Sequence, residues 1–266
     1  MLFRSLEPMG MYRPRVRKQR LKRVVDPILF QRVARGAALV MTDSELERDD
    51  LVEAGLPRER IAVRPSPFPP FNAGRSGRLR ERLGLTDEQL VLYVGRMAAG
   101  KGIELLLEAM HSLPRAHLAL VGLSDHAQVA ERVRREAADG ALAGRLHVLP
   151  RWQDERPLAL YGDADVFVLA STGKMENFGL VVAEAVAAGT PVVVTDQAGV
   201  AELVKDRAGL VVPPTADAVR EAVAHILDDD DLRARLRSGA AAVAAENSAA
   251  EVVERQVATY RSVLRR

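Results

Sequence analysis

Cysteine is missing from the chain of 266 residues. Disulfide scaffolds, thiolate metal sites and cysteine nucleophiles are therefore excluded. Aromatic residues are scarce, at 4%. None alternates with the arginines between Arg13 and Arg23, which argues against a platform for stacking single-stranded bases. Long apolar runs are lacking as well. The one window that approaches ~18 uncharged apolar residues, 178–195, is interrupted by Glu184, glycine and proline, so a membrane span is not expected. No apolar stretch of about 7–15 residues follows the basic N-terminus, so a secretory signal is not expected either. Lysine is rare: Lys18, Lys22, Lys101, Lys174 and Lys205 stand against 33 arginines. The expectation is a cytoplasmic protein.

Apolar residues make up 48% of the chain and charged residues 28%, enough to bury a sizeable core and too balanced for general disorder. The length suggests one to two domains. The net charge of +2 hides an asymmetry, because residues 1–35 carry ten basic side chains against Glu7 and Asp26. Leu21, Val24, Val25, Ile28 and Leu29 fall at helical spacing there and form one apolar stripe, as in a helix docked on a core. Peripheral contact with anionic lipid through this basic helix is the second reading, and nucleic acid is set aside.

Strands and helices alternate along the chain. Leu39–Thr42 reads as a short buried strand, with Asp43 or Ser44 capping a helix that stops at Gly55. Ile61–Arg64 is another strand. Four prolines and two glycines in residues 65–77 mark a linker. Beyond it, short apolar strands are expected at Leu90–Val94, Leu118–Val121, Leu146–Leu149, Val166–Leu169, Val192–Val194 and Leu210–Val212, with helices between them. This pattern argues for a parallel, doubly wound sheet. Val252, Val253, Val257, Tyr260, Val263 and Leu264 give a last amphipathic helix.

Ligands of such a sheet bind beyond the carboxyl ends of its strands. Two segments lie there. In Val94–Gly102 a strand runs into a helix through a glycine-rich turn carrying Arg96 and Lys101. Gly95 and its neighbours would let backbone N–H groups approach an anion, while Arg96 grips phosphate oxygens in pairs and Lys101 acts as a point charge. An ordinary strand–helix turn with exposed cations is the competing reading. The spacing is neither a dinucleotide fingerprint nor a P-loop, which disfavours a nicotinamide oxidoreductase. In Ser171–Glu184 a polar loop precedes a helix that opens near Gly179. Glu184 is the only charge between Phe178 and Thr195, so a buried Glu184 would need hydrogen-bond donors; a solvent-facing helix side is the alternative. Glu176 precedes the helix and either points into a cleft or offsets the helix dipole. Asp163-Ala164-Asp165 matches a metal-binding pattern but sits before a strand, where polar residues mark a turn. Asp228–Asp231 is expected as a helix–helix turn with an N-cap. The histidines His111, His117, His126, His147 and His225 show no ligand spacing and suit surface positions.

The Gly-Arg turn with its downstream Lys-Gly, the Glu176/Glu184 spacing across Glu-Asn-Phe-Gly, and Ala188-Gly189-Thr190-Pro191-Val192 together resemble the retaining group 1 glycosyltransferases (glycosyltransferase family four) of the GT-B fold. The resemblance runs from about Asp26 to the C-terminus. It implies an α/β, GT-B-like chain: one complete Rossmann-like, doubly wound parallel-sheet domain plus the remnant of a second. The expected division is 1–70, the N-terminal acceptor-side remnant; 71–80, a linker; 81–245, the nucleotide-sugar domain; and 246–266, a helix crossing back towards the remnant. By the same resemblance Arg96 and Lys101 would hold the donor diphosphate, and Glu176 would contact the transferred sugar near the reacting carbon. Gly95 and the backbone of Asn177, Phe178, Gly179 and Leu180 would line sugar and phosphate. Glu184 would bind the ribose hydroxyls, and Arg151 in Pro150-Arg151-Trp152 would sit by the base. The donor would be a nucleotide-diphosphate sugar and the acceptor a saccharide or lipid-linked molecule. No cofactor or metal is implied. Most of the N-terminal domain is missing from the pattern, so a nucleotide-sugar-binding module inactive by itself is the alternative, and the last helix is expected partly exposed or covered in a homodimer.

Overall fold

The computed structural model describes residues 5–7, 36–124, 126–152, 158–173 and 176–265. The expected basic helix and its apolar stripe lie outside the described residues. Two parallel sheets organise the rest. The smaller holds β1 (Ser5–Leu6), β2 (Leu39–Thr42) and β3 (Ile61–Val63), in that order, with α1 (Glu45–Glu53) between the last two. Ser44 caps α1 by accepting a hydrogen bond from the Glu47 N–H. Ala37, Val40, Leu51, Leu56 and Ile61 form its own small core.

The larger sheet has six strands: β4 (Gln89–Val94), β5 (Ala116–Val121), β6 (Leu146–Leu149), β7 (Val166–Leu169), β8 (Val192–Thr195) and β9 (Gly209–Val212). Their spatial order is β6-β5-β4-β7-β8-β9, so the winding direction reverses between β4 and β7. Helices cover the sheet, which is why its central strands are continuous apolar runs; Val166–Leu169 and Val192–Thr195 are buried at every position. The helix α6 (Leu180–Ala187) is apolar nearly all round, as a helix wedged between sheet and neighbours must be. Asp229 accepts from the Leu232 N–H and caps the helix Asp230–Glu246, so the aspartate run is a helix–helix turn as expected.

The structure departs from the sequence reading in three places. A helix, α2 (Arg78–Leu83), was not anticipated. Gly77 at its start has no side chain to cap it, and the cap comes instead from Asp163, far along the chain, whose carboxylate accepts from the N–H groups of Gly77 and Leu79 at 2.7 and 2.8 Å. The expected linker is bedded down: Phe68 is buried, its N–H donates to the Asn247 carbonyl at 2.8 Å, and the Asn72 N–H donates to the Ala187 carbonyl at 2.8 Å. The last helix, α10 (Ala249–Leu264), buries Val252 and leaves Val253, Val257 and Leu264 exposed, in line with the partly exposed helix expected there.

The histidines are the third departure. His117 and His147, on the neighbouring strands β5 and β6, stack with ring centroids 5.3 Å apart and share a hydrogen bond of 3.0 Å between Nδ1 and Nε2. Burial pulls both below the ordinary histidine value of 6.5, and for His147 the neighbouring His117 adds to it. The folded chain therefore resists protons that the unfolded chain accepts. The stability this pair confers is full above pH 6.5 and is lost as pH falls below it. Replacing both with asparagine is expected to flatten the drop in thermal midpoint between about pH 7.5 and about pH 5.5, measured against the unaltered chain. An equal drop in both would exclude the pair as its source. Among the described residues no group of three or more His, Cys, Asp or Glu could hold a metal ion, and no helix is long and apolar enough to cross a membrane.

Candidate functional site

The reversal between β4 and β7 leaves a gap beyond their carboxyl ends, the place where an open α/β sheet takes its ligand. Two connected hollows occupy it. The larger, about 1410 Å³, runs past Gly95 and Arg96 to Arg151, Trp152, Tyr161 and Glu184. The smaller, about 350 Å³, is lined by Asp43, Lys101 and Glu176, by the segment from Asn177 to Val181, and again by Gly95 and Arg96. Arg96 thus stands in the wall the two hollows share.

Tyr93, buried in β4, sends its hydroxyl up to donate to the Arg96 carbonyl at 2.8 Å and so fixes the turn. Burial, and then the nearby Glu176, raise the Tyr93 phenol above its ordinary value, which keeps it a donor. Gly102 ends the turn with a φ of 71°, and a Cβ there would come within 1.7 Å of the Ala170 carbonyl oxygen. The glycine at this position therefore serves the close docking of one loop on the other, a different task from admitting an anion to the backbone. The Thr172 N–H completes the docking by donating to the Gly100 carbonyl at 2.9 Å.

With the loops held this way, the Lys101 ammonium lies 2.6 Å from the Glu176 Oε2. Both side chains are largely shielded, at 19% and 13% exposure, so the pair is one of substance. Read from their positions in the chain, these residues have separate tasks; the structure brings them into contact. The ammonium has three donors and, among the described residues, one contact, to Glu176, which leaves it capacity to bind a further anion. Just beyond, α6 begins at Gly179, a residue with φ 100° and no side-chain cap. Leu180 and Val181, at the first turn of α6, line the hollow, and this end carries the positive pole of the helix dipole. Phe178 offers backbone only, since its ring is buried edge-on against Phe68 with centroids 6.3 Å apart.

Glu184 lines the larger hollow and not the smaller one. Its Oε2 accepts a hydrogen bond from the Tyr161 hydroxyl, so the donor that the sequence reading sought from a ligand is supplied in part by the protein. Arg151 lines the same space and is exposed, beside the partly buried Trp152. From the side of the small sheet, Asp43 closes the lesser hollow. Its carboxyl accepts from the Asn177 Nδ2 at 3.4 Å and lies 3.7 Å from Arg64. Burial first, then Glu47, push its pKa up, against the pull of Arg64.

Every residue picked from the sequence — Arg96, Lys101, Glu176, Gly95, the segment Asn177–Leu180, Glu184 and Arg151 — lines one of the two hollows. Asp163 and Asp165 do not. Asp163 is fully buried and accepts from Ser76, Gly77 and Leu79, while Asp165 pairs with Arg75 and Arg80 and accepts from the Leu90 N–H. Both carboxylates are spent on holding α2 and the chain on either side of it, in keeping with the turn expected at Asp163–Asp165. Sequence reasoning missed Asp43, Tyr93 and Tyr161. No local pattern marks them, because each reaches the site through a strand register or a helix pairing.

The sequence model for "Glycosyl transferases group 1" matches residues 76–243. An alpha-D-kanosaminyltransferase from Streptomyces kanamyceticus is 32% identical over 256 residues, covering 91% of this chain and 66% of that protein. A D-inositol 3-phosphate glycosyltransferase from Xylanimonas cellulosilytica is 35% identical over 226 residues, covering 80% of this chain and 54% of that one. The chain thus spans between about half and two thirds of the length of these relatives. Among solved structures, sucrose-phosphate synthase from Thermosynechococcus elongatus superposes with a TM-score of 0.78 at 29% identity, covering 98% of this chain and 67% of that one. Anabaena HepE, solved with UDP and glucose, gives 0.79 at 23% identity, covering 97% of this chain and 71% of that one, which shows a shared fold.

Proposed function

This chain belongs to the group 1 glycosyl transferases, and from that premise we propose that it binds a nucleotide-diphosphate sugar in the paired hollows and transfers the sugar, with retention and without a metal, to a saccharide or lipid-linked acceptor. The observation that carries the reading is the place of Arg96 in the wall between a wide hollow lined by Glu184 and a small one lined by the Lys101–Glu176 pair. A nucleotide sugar has the same order of parts: nucleoside, diphosphate, sugar. The diphosphate falls at Arg96, Lys101 and the start of α6, the nucleoside in the wide hollow by Trp152 and Arg151, and the sugar beside Glu176.

Breaking the anomeric bond places negative charge on the leaving phosphate oxygen. Arg96, Lys101 and the start of α6 line the hollow in which that charge would form, so it meets positive charge already present on the protein. They supply on the protein the positive charge that a metal would otherwise bring. Glu176, held by Lys101, accepts hydrogen bonds from hydroxyls of the sugar and fixes its position. Asp43, from the small sheet, faces the same sugar from the opposite side, where an acceptor would approach.

Calorimetry with uridine, guanosine and adenosine diphosphates, together with a donor hydrolysis and transfer assay, tests this. One of the three is expected to bind and to raise stability by about 2.7 kcal/mol at about a hundredfold excess over Kd. Binding with no turnover would make the chain a nucleotide-sugar-binding module. No binding by any nucleotide would remove the donor reading.

A further inference from the structure

We propose that Tyr161 is a positioning residue: its phenol holds the Glu184 carboxylate in the orientation that accepts hydrogen bonds from the vicinal hydroxyls of a ribose, so that the chain tells a ribonucleotide from a 2′-deoxyribonucleotide. This rests on the donor reading above and adds to it the group that enforces sugar selectivity on the nucleoside side. Glutamate has three side-chain torsions, and a glutamate on a helix wall beside an open hollow samples several of them. Glu184 is placed in that way, on the second turn of an otherwise apolar helix and at the edge of the larger hollow. A carboxylate that wanders gains little from a diol, because the ordering cost comes out of the binding energy.

Tyr161 removes that freedom. Its hydroxyl donates to the Glu184 Oε2. The tyrosine is itself immobile: it is 2% exposed, its ring lies edge-on against Phe167 with centroids 5.5 Å apart, and its carbonyl accepts from the Thr190 hydroxyl at 2.7 Å. It belongs to the short helix Ala159–Gly162, which ends beside the buried Asp163 that anchors the segment before α2. Burial, followed by the proximity of Glu184, raises the phenol well above its usual range, so it remains protonated and a donor at any working pH. Among the described residues the Glu184 carboxylate has no other hydrogen-bond partner, which leaves Oε1 and the second lone pair of Oε2 for a ligand. One oxygen is fixed by the protein, and the diol completes the set.

The test compares uridine diphosphate with 2′-deoxyuridine diphosphate, and the guanosine and adenosine pairs likewise, by calorimetry on the whole chain. The unaltered chain is expected to prefer the ribonucleotide about tenfold, the worth of one good hydrogen bond to a charged group. Tyr161→Phe keeps the ring and its packing and removes only the donor. It is expected to cut the preference about threefold or more, with affinity for the deoxynucleotide, which keeps only its 3′-hydroxyl for Glu184, falling less. Adding Tyr161→Phe to Glu184→Ala should then change nothing further. If Tyr161→Phe does not fold, Glu184→Asp, which withdraws the carboxylate from the phenol and leaves Tyr161 buried, must show the same lost preference. An unchanged ratio in Tyr161→Phe, or equal weakening towards both nucleotides, would overturn the proposal and leave the donor reading standing. A chain that binds nucleotides without preferring ribose would also overturn it. A chain that binds none of them would take down the donor reading first.

Discussion

Lys101→Ala is expected to lower sugar transfer by roughly 10²–10³-fold, the loss found when one oriented charge-stabilising donor is taken from an active site. The ammonium is in contact with Glu176 at 2.6 Å and stands beside the start of α6. Two effects therefore add. The developing charge on the phosphate loses a cation, and the Glu176 carboxylate, 13% exposed, loses its contact with Lys101. Both act on the transition state more than on the bound donor, so kcat should fall further than KM rises. Stability should change by only about 1 kcal/mol, because the pair lies on two loops and outside the core. Glu176→Gln separates the effects: it keeps the shape and leaves Lys101 to the phosphate, so donor binding should survive while turnover falls. Turnover within twofold of the unaltered chain in Lys101→Ala would remove it from the chemistry.

Asp163→Ala should produce the largest loss of stability, about 3–5 kcal/mol out of the ~5–15 kcal/mol typical of a domain. The carboxylate is fully buried and accepts from the Ser76 N–H, the Ser76 hydroxyl, the Gly77 N–H and the Leu79 N–H, at 2.6 to 2.9 Å. Removing it strands four donors, uncaps α2 and loosens the segment between the two sheets. Equilibrium denaturation measures the loss directly. Asp163→Asn, which keeps one acceptor oxygen and turns an amide towards the remaining donors, should fall between. A metal-binding role for the Asp163-Ala164-Asp165 motif makes the opposite forecast: activity lost, stability intact.

The larger sheet was legible because its strands are buried on both faces. Val166–Leu169 has no polar residue to blur it and has the bounds expected, while Val192–Thr195 runs one residue past its expected end to take in the buried Thr195. The charged residues of the site were legible by rarity and by resemblance: a lone lysine in a glycine turn, a lone glutamate in an apolar helix. What stayed hidden depends on distant chain. The sequence Arg78–Leu83 looks like exposed charge until Asp163 is seen to cap it. The Lys101–Glu176 contact depends on Gly102 letting one loop lie against another. Tyr161 reaches Glu184 because two helices pair, which no spacing within either helix announces. His117 and His147 are thirty residues apart in sequence and meet only through the register of β5 on β6. Asp43 belongs to the small sheet, and its approach to Asn177 is a matter of how the two sheets dock.

Amide hydrogen exchange with and without a nucleotide-diphosphate sugar tests most directly whether the shared hollow is where the donor sits. Slowed exchange is predicted in the turn of residues 95–102 and at the start of α6, residues 179–182, with the strands of the small sheet unaffected by the nucleotide. Protection confined to other surfaces, or none at all under saturating donor, would contradict the account.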